Sequence, residues 1–256
     1  MTFLHEVLEV KRTEIARLRE DPPHPSALPG VGFGAALRGP GLSVIAEIKR
    51  RSPSKGELSP HLDAARIARE YAEGGAHAIS CLTDRTFFGA RTSDFAEARA
   101  AGRPVLRKDF LIDEVQIDES LSLGASAVLL IVKILPAGRL EALLRHATAL
   151  DLDALVEVHD EDEVDRALAA GAVIIGVNNR DLATLAVDPG RALRLRPRIP
   201  NGVVSVAESG VRTRDDVRRI EEAGFDAVLI GETLVISPDP AATLMDLMGK
   251  SAEVSR

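Results

Sequence analysis

The chain has 256 residues, 45% of them hydrophobic and 28% charged, with a net charge of −7. The apolar content excludes a mainly disordered chain, and the acidic balance excludes a generally basic nucleic-acid binder. The single cysteine, Cys81, excludes an intrachain disulfide and a multi-cysteine zinc site, and no run of about 18 apolar residues could cross a membrane. The length admits one domain or two, and α/β barrels of about 250 residues are the one-domain case.

The chain turns charged by Glu6 and shows no signal-peptide core, which suits a reducing, cytoplasmic setting. Residues 2–20 predict an amphipathic helix with Leu4, Val7, Leu8, Ile15 and Leu18 on one side, expected to pack on the rest of the protein. A proline-rich turn follows, from Pro22 to Pro29. Gly30-Val31-Gly32-Phe33-Gly34-Ala35 fits the G-x-G-x-x-A pattern of dinucleotide sites. That pattern has meaning only after a strand and at the opening of a helix, whereas here it precedes the first strand. It reads as a loop.

From residue 43 onward one grammar repeats: a helical stretch ends in Gly and an apolar run follows. The glycines are Gly74-Gly75, Gly102, Gly124, Gly171 and Gly224. Glycine accepts the left-handed conformation that stops a helix. The apolar runs do not alternate, as expected for strands of a parallel sheet buried on both faces. Eight strands are predicted, at 43–48, 76–82, 104–108, 126–132, 153–158, 172–178, 203–208 and 226–231. Between them, Ser59-Pro60, Asp113 with Gln116, Asp160 with Glu163, and Thr213 with Asp216 look like helix starts. Ile67, Ala68, Tyr71 and Ala72 form one apolar stripe, and Leu140, Leu143, Leu144 and Ala147 another. Eight even β-then-α units close into an α/β fold of the (β/α)8 TIM barrel type, with an open doubly wound sheet as the alternative. The expected organisation is a single barrel domain over residues 1–256, of which 1–42 is an N-terminal helical extension. Residues 251–256 read as a frayed tail.

Barrel chemistry sits at the C-terminal ends of the strands. There the predicted strands finish in Glu47 and Lys49, Arg107 and Lys108, Lys133, Glu157 and His159, Asn178 and Arg180, and Glu208. The chain has only six lysines, and three of them are in this set. A lysine can change protonation state where an arginine cannot. A Lys–Glu pair in a barrel can be purely structural, but six polar ends at one mouth point to a site, because buried charge is costly. Neighbouring positive charge and burial are expected to lower the Lys108 pKa. The segment from Lys49 to Gly56 carries four positive charges and reads as an anion-binding loop able to move as a lid. Ser209-Gly210-Val211 and Gly231-Glu232-Thr233 resemble a phosphate cup in the last two βα turns, with the Glu232 side chain turned away and its N–H contributing. The six histidines show no ligand spacing, so no metal is expected. His159 reads as a helix cap or supporting contact, and Cys81 as a buried small residue.

These residues carry a resemblance. Ala46-Glu47-Ile48-Lys49-Arg50-Arg51-Ser52-Pro53-Ser54-Lys55-Gly56 resembles the opening signature of the indole-3-glycerol phosphate synthase family of tryptophan biosynthesis. Segments 106–110, 156–159, 176–182 and 206–211 agree in order, and the similarity spans nearly the whole chain, extension included. The resemblance implies a monofunctional carboxy-lyase. It would convert 1-(2-carboxyphenylamino)-1-deoxyribulose 5-phosphate to indole-3-glycerol phosphate, carbon dioxide and water, without metal or cofactor. It implies Lys108 as general acid, Glu157 as acid–base partner in dehydration, Lys49 as an anion contact and Glu47 as holder of the lysines. Asn178 and Glu208 would meet the sugar hydroxyls and developing charge. Arg180, Ser209, Gly210, Gly231 and Glu232 would surround the phosphate, Ser52 and Pro53 would shape the first loop, and Phe88 and Phe110 would wall the aryl ring. Lys133 stays outside the catalytic set. The expected partner is a small phosphorylated substrate, with no nucleic acid or membrane. The expected state is a monomer or weak homo-oligomer, with contacts to other tryptophan-pathway enzymes open. A related phosphosugar isomerase, a non-catalytic metabolite sensor and a partner-dependent subunit are the rival readings.

Overall fold

The computed structural model describes residues 3–23 and 32–250. The eight barrel strands are β1 (Ser43–Ile48), β2 (Ala78–Leu82), β3 (Val105–Lys108), β4 (Ala127–Ile131), β5 (Asp153–Val158), β6 (Ile174–Asn178), β7 (Val204–Glu208) and β8 (Ala227–Ile230). Each pairs in parallel with its sequence neighbours, and β8 returns to β1 to close the barrel. The (β/α)8 expectation holds and the open sheet is set aside.

Strand alternation builds two cores. Ile45, Leu106, Leu129, Leu155, Val206 and Leu229 fill the barrel interior. Their neighbours Val44, Ala46, Val105, Val128, Val156 and Val228 face the helices. The predicted stripe residues Ile67, Ala68 and Tyr71, and all four from Leu140 to Ala147, are buried in that outer core.

The predicted strands at 76, 126, 172 and 226 begin one or two residues too early, for a reason the helix ends supply. The residue after the glycine donates its N–H back to the helix: Ala76 to Tyr71 O, Ala125 to Ser120 O, Ala172 to Ala167 O and Phe225 to Ile220 O. It completes the helix cap before the strand begins. The capping glycines Gly75, Gly102, Gly124, Gly171 and Gly224 all have positive φ. Asp151 (φ 54) does the same work without glycine, with Leu152 donating to Ala147 O. That unit escaped the glycine pattern.

Among the predicted helix starts, Asp113 with Gln116 and Thr213 with Asp216 form reciprocal capping boxes. Ser59-Pro60 does not start a helix. The helix Ala64–Glu73 is capped by the Asp63 carboxylate, which accepts the Arg66 N–H at 2.9 Å, and Ser59–Leu62 forms a turn before it. Asp160 caps its helix, but the Glu163 carboxylate turns to His159 instead of closing the box.

The extension does two jobs. Its long helix, α1 (Phe3–Glu20), lies against the start of the helix Glu114–Ser122, with Arg19 reaching Asp113 at 2.7 Å. The short helix Phe33–Ala36 closes the bottom of the barrel, where Phe33 and Leu37 are buried in the interior core. There the Gly34 N–H donates to Asp153 Oδ2 at 2.8 Å, at the first residue of β5. The described part of the G-x-G-x-x-A segment, Gly32 to Ala35, thus belongs to the floor, at the far end from the strand C-termini. Gly30 and Val31, most of the proline-rich turn and the 251–256 tail lie outside the described residues.

Removing the floor contact by Asp153→Ala should cost about 1–2 kcal/mol in urea denaturation. kcat should be unchanged, because this residue belongs to the stability face of the barrel. A loss of kcat with unchanged stability would reverse that assignment.

Candidate active site

The period of two decides which polar strand ends enter the barrel. Ile45, Leu106, Leu155 and Val206 point inward, so Glu47, Lys108, Glu157 and Glu208, two residues further along, do so too. These four come from β1, β3, β5 and β7. They form one layer of side chains from alternate strands, the regular packing of such barrels, with charge in place of hydrocarbon. Arg107, one residue out of phase, lies in the helix layer and bonds Gln116 O, Ser120 Oγ and Glu119 Oε2.

Within the layer, Lys108 Nζ is 3.1 Å from Glu157 Oε2 and 3.4 Å from Glu208 Oε2. Lys49 Nζ is 2.5 Å from Glu47 Oε1. Glu157 and Glu208 are almost fully removed from solvent, at 0% and 1% exposure. Gly176 on β6 makes the room: a Cβ there would sit 2.1 Å from Glu208 Oε1 and 3.1 Å from Leu155 Cδ1.

Burial pulls the Lys108 pKa down, but Glu157, Glu208 and Glu47 together outweigh it and hold the ammonium above its ordinary range. The expectation of a lowered Lys108 pKa is therefore overturned. The neighbouring cations are outnumbered at short range by carboxylates. Burial raises Glu157, yet Lys108 and His159 outweigh burial and keep it well below the usual carboxylate range. Glu47 is also lowered, with burial opposed by Lys49 and Lys108. Glu208 bears the strain: burial, then Glu157 and Glu47, push it up to about 7 against the pull of Lys108.

The cavity above this layer encloses about 980 Å³, its open mouth included. The side formed by the ends of β2, β3 and β4 and the loops after them is apolar, with Leu82, Phe88, Phe110, Leu129 and Ile131. The Phe88 and Phe110 rings are 6.3 Å apart. The floor holds Glu47, Lys49, Lys108, Glu157, Asn178 and Glu208. The other side holds Arg180, Ser209, Gly210, Arg212, Gly231, Glu232 and Thr233. Ser209 (φ 66) and Gly210 (φ 87) form a left-handed turn there, and Asn179 Nδ2 donates to Ser209 O at 3.0 Å.

Two expected residues stand apart. Ser52 and Pro53 do not line the cavity. Ser52 lies in a two-residue strand, Arg51–Ser52, paired with Gly56–Glu57, and its hydroxyl accepts the Lys55 N–H. The loop reaches the site through Ser54, which accepts from Arg180 at 3.0 Å. Arg50 contributes nothing to the mouth, since its guanidinium is buried on Asp94 and Leu62 O. The Glu232 carboxylate lies 3.8 Å from Lys55 Nζ. Lys133 pairs with Asp181 at 3.3 Å, away from the lining, and Cys81 is buried with its thiol pushed up by burial. Among the described residues no group of His, Cys, Asp or Glu side chains has a metal-binding arrangement, and no helix is long and apolar enough to cross a membrane.

The sequence reading missed Lys11. Only 1% exposed, its Nζ lies 2.8 Å from both Asp84 Oδ2 and Asp109 Oδ1 and 2.9 Å from Glu14 Oε2. Asp84 caps the short helix that carries Phe88, and Asp109 follows Lys108 and precedes Phe110. One ammonium from α1 thus ties both aromatic walls to the end of β3. Phe3 adds edge contacts to Phe87 and Phe110. Arg212 and the apolar wall on β4 were also missed, although Leu129 and Ile131 share the inward phase of their strand.

The fold and this site define a (β/α)8-barrel enzyme with its site at the strand C-termini. The family model for indole-3-glycerol phosphate synthase matches residues 4–247. An indole-3-glycerol phosphate synthase 2 of Streptomyces coelicolor is 52% identical over 94% of this chain and 91% of its own length. An indole-3-glycerol phosphate synthase of Chlorobium phaeovibrioides is 46% identical over 93% and 96%. Among solved structures, 3-hexulose-6-phosphate synthase from Salmonella typhimurium shares the fold at a TM-score of 0.63 and 14% identity, over 82% of this chain and 98% of that one. The chain belongs to the indole-3-glycerol phosphate synthase family, carboxy-lyases of tryptophan biosynthesis.

Two outcomes follow from the buried charges. The folded-state pKa of Glu208 is raised, so its contribution to stability is present below the ordinary 4.5 and is lost as pH rises through about 7. Glu208→Gln should match wild type in melting temperature near pH 5 and exceed it by about 5 °C at pH 8. A gap that does not grow with pH would remove the strain from Glu208. Lys11→Met leaves Asp84 and Asp109 buried without their cation and should cost about 3 kcal/mol in denaturant unfolding, with a raised KM. Unchanged stability would show that the ion pairs contribute nothing net.

Proposed function

We propose that this protein closes the indole ring of indole-3-glycerol phosphate from 1-(2-carboxyphenylamino)-1-deoxyribulose 5-phosphate, with loss of carbon dioxide and water. One observation carries the reading. A buried lysine flanked by carboxylates lies between an apolar wall and a glycine-lined end bearing Arg180 and Arg212. The substrate has the same order of parts: aryl ring, ketone, sugar phosphate.

The aryl ring takes the side walled by Phe88 and Phe110. The phosphate takes the far side, where Gly210 and Gly231 let backbone N–H groups approach and Arg180 supplies charge. Lys49 meets the anionic groups between them. The ketone oxygen then lies over Lys108. As the ring carbon bearing the carboxylate bonds to the ketone carbon, the Lys108 ammonium donates its proton to the oxygen. The ammonium is firmly protonated, so it favours transfer only once that oxygen has become strongly basic. It stabilises the transition state more than the ground state. The carbon–carboxylate bond breaks, carbon dioxide leaves, and its electron pair restores the ring. In the water-losing step the ionised Glu157 takes a proton from the carbon beside the new alcohol and hands it to Lys108, 3.1 Å away. The Lys108 ammonium protonates the departing hydroxyl so that water leaves, and a proton from solvent then recharges the lysine. Asn178 and Glu208 meet the sugar hydroxyls. The set is complete within one chain, which is compatible with a monomer or weak homo-oligomer, and a biosynthetic enzyme of this family suits the cytoplasm.

Mixing the protein with this substrate, without metal, should generate indole fluorescence. The chain has no tryptophan to obscure it. Lys108→Ala should lower kcat at least about a hundredfold while phosphate-ligand affinity stays near wild type. No product from wild type under any buffer condition would sink the function, and wild-type turnover by Lys108→Ala would sink the acid assignment.

A further inference from the structure

His159 follows β5 and is only 5% exposed. Its ring is anchored from one side by the helix Glu161–Ala169. Glu163 Oε2 accepts the His159 backbone N–H at 2.8 Å and lies 3.0 Å from Nδ1. This anchor takes the Glu163 carboxylate out of the capping box that its spacing from Asp160 would otherwise close. The other ring nitrogen, Nε2, lies 3.4 Å from Glu157 Oε1. These two buried atoms face each other outside hydrogen-bond alignment, and neither has another hydrogen-bond partner among the described residues. Buried polar atoms are seldom left without a partner in native proteins, so two that face each other at this distance are each other's natural partner. Glu157 Oε2, the second oxygen, is the one that meets Lys108.

Resting on the acid–base reading of Glu157, we propose that His159 is a positioning residue. Braced by Glu163, it holds Glu157 Oε1 so that Oε2 stays aimed at Lys108 and the substrate. A helix cap alone would need only the Glu163 side of the ring. Here the far nitrogen points at the reacting carboxylate. The groups facing this pair are Lys108 from β3, Glu47 from β1, Glu208 and Asn178 from β7 and β6, and Glu163 from the helix Glu161–Ala169. Burial lowers the His159 pKa, but Glu157 and Glu163 raise it to about 9, so the ring is a cation at neutral pH. When Lys108 gives its proton to the substrate, His159 is the cation left beside Glu157. It keeps that carboxylate ionised until the water-losing step.

The test is the pH profile of kcat for wild type, His159→Ala and His159→Gln, with KM and melting temperature measured alongside. His159→Ala should lower kcat at least about tenfold with little change in KM, and move the acid limb of the profile to higher pH. His159→Gln keeps an amide donor without the charge. It should recover most of kcat while the acid limb stays displaced. If the alanine variant does not fold, the glutamine variant alone decides. Glutamine with an unmoved acid limb, or alanine with wild-type kcat, overturns the proposal. A second readout does not need turnover: the Glu157 carboxyl carbon, followed by 13C NMR, should titrate at higher pH in His159→Gln than in wild type. An unshifted titration overturns the proposal even if wild type forms no product, an outcome that would itself count against the function instead.

Discussion

Everything at this site depends on one ammonium held between two buried carboxylates. Lys108 lies within 3.4 Å of Glu157 and Glu208, with Glu47 close enough to add to the field. Barrel closure makes this possible. Parallel pairing from β1 round to β8 brings the ends of alternate strands into a single layer, and a layer has four places. In the layers below, the interior places hold residues such as Ile45, Leu106, Leu155 and Val206. In the top layer they hold three acids and one base. The excess of acid keeps the lysine charged, and it leaves Glu208 as the carboxylate that gives way first.

Such an arrangement is unstable unless its surroundings correct it. Lys49 neutralises Glu47, His159 and Asn178 support Glu157, and Gly176 leaves Glu208 the room it occupies. A second buried network, with Lys11 at its centre, stands just behind the first. It holds Asp109, the neighbour of Lys108, and Asp84, which caps the helix of Phe88. The N-terminal helix is therefore part of the mouth, although the sequence places it nearly a hundred residues from Lys108. Buried ion pairs rarely add much stability against a hydrocarbon alternative, but breaking one leaves an unpaired charge. The two networks define where groups stand more than how firmly the barrel folds.

The barrel was legible in the sequence because its signals are local. A glycine after a helix, an apolar run, and a polar residue at the end of the run can each be read within a few residues. The inward places of Glu47, Lys108, Glu157 and Glu208 follow from strand phase alone, and the same phase separates Lys108 from Arg107. What escaped depends on contacts between distant segments. Lys11 reads as a surface charge until α1 meets the loops after β2 and β3. Arg50 looks like part of a basic loop until Asp94 is seen beside it. The direction of the Lys108 pKa does not follow from the sequence, because cations and carboxylates alike gather at the mouth and only distances decide which prevail. Asp151 takes the place of a glycine before β5, so that unit lacks the marker that five others carry.

The account turns on crowding among the carboxylates around Lys108, and 13C NMR of the glutamate carboxyl carbons measures that directly. With Glu208→Gln used to assign the resonance, Glu208 should titrate near pH 7 in the wild-type protein, and higher still when Lys108 is replaced by Met. If Glu208 titrates at or below the ordinary 4.5, with no response to the loss of Lys108, the charged layer does not work as described.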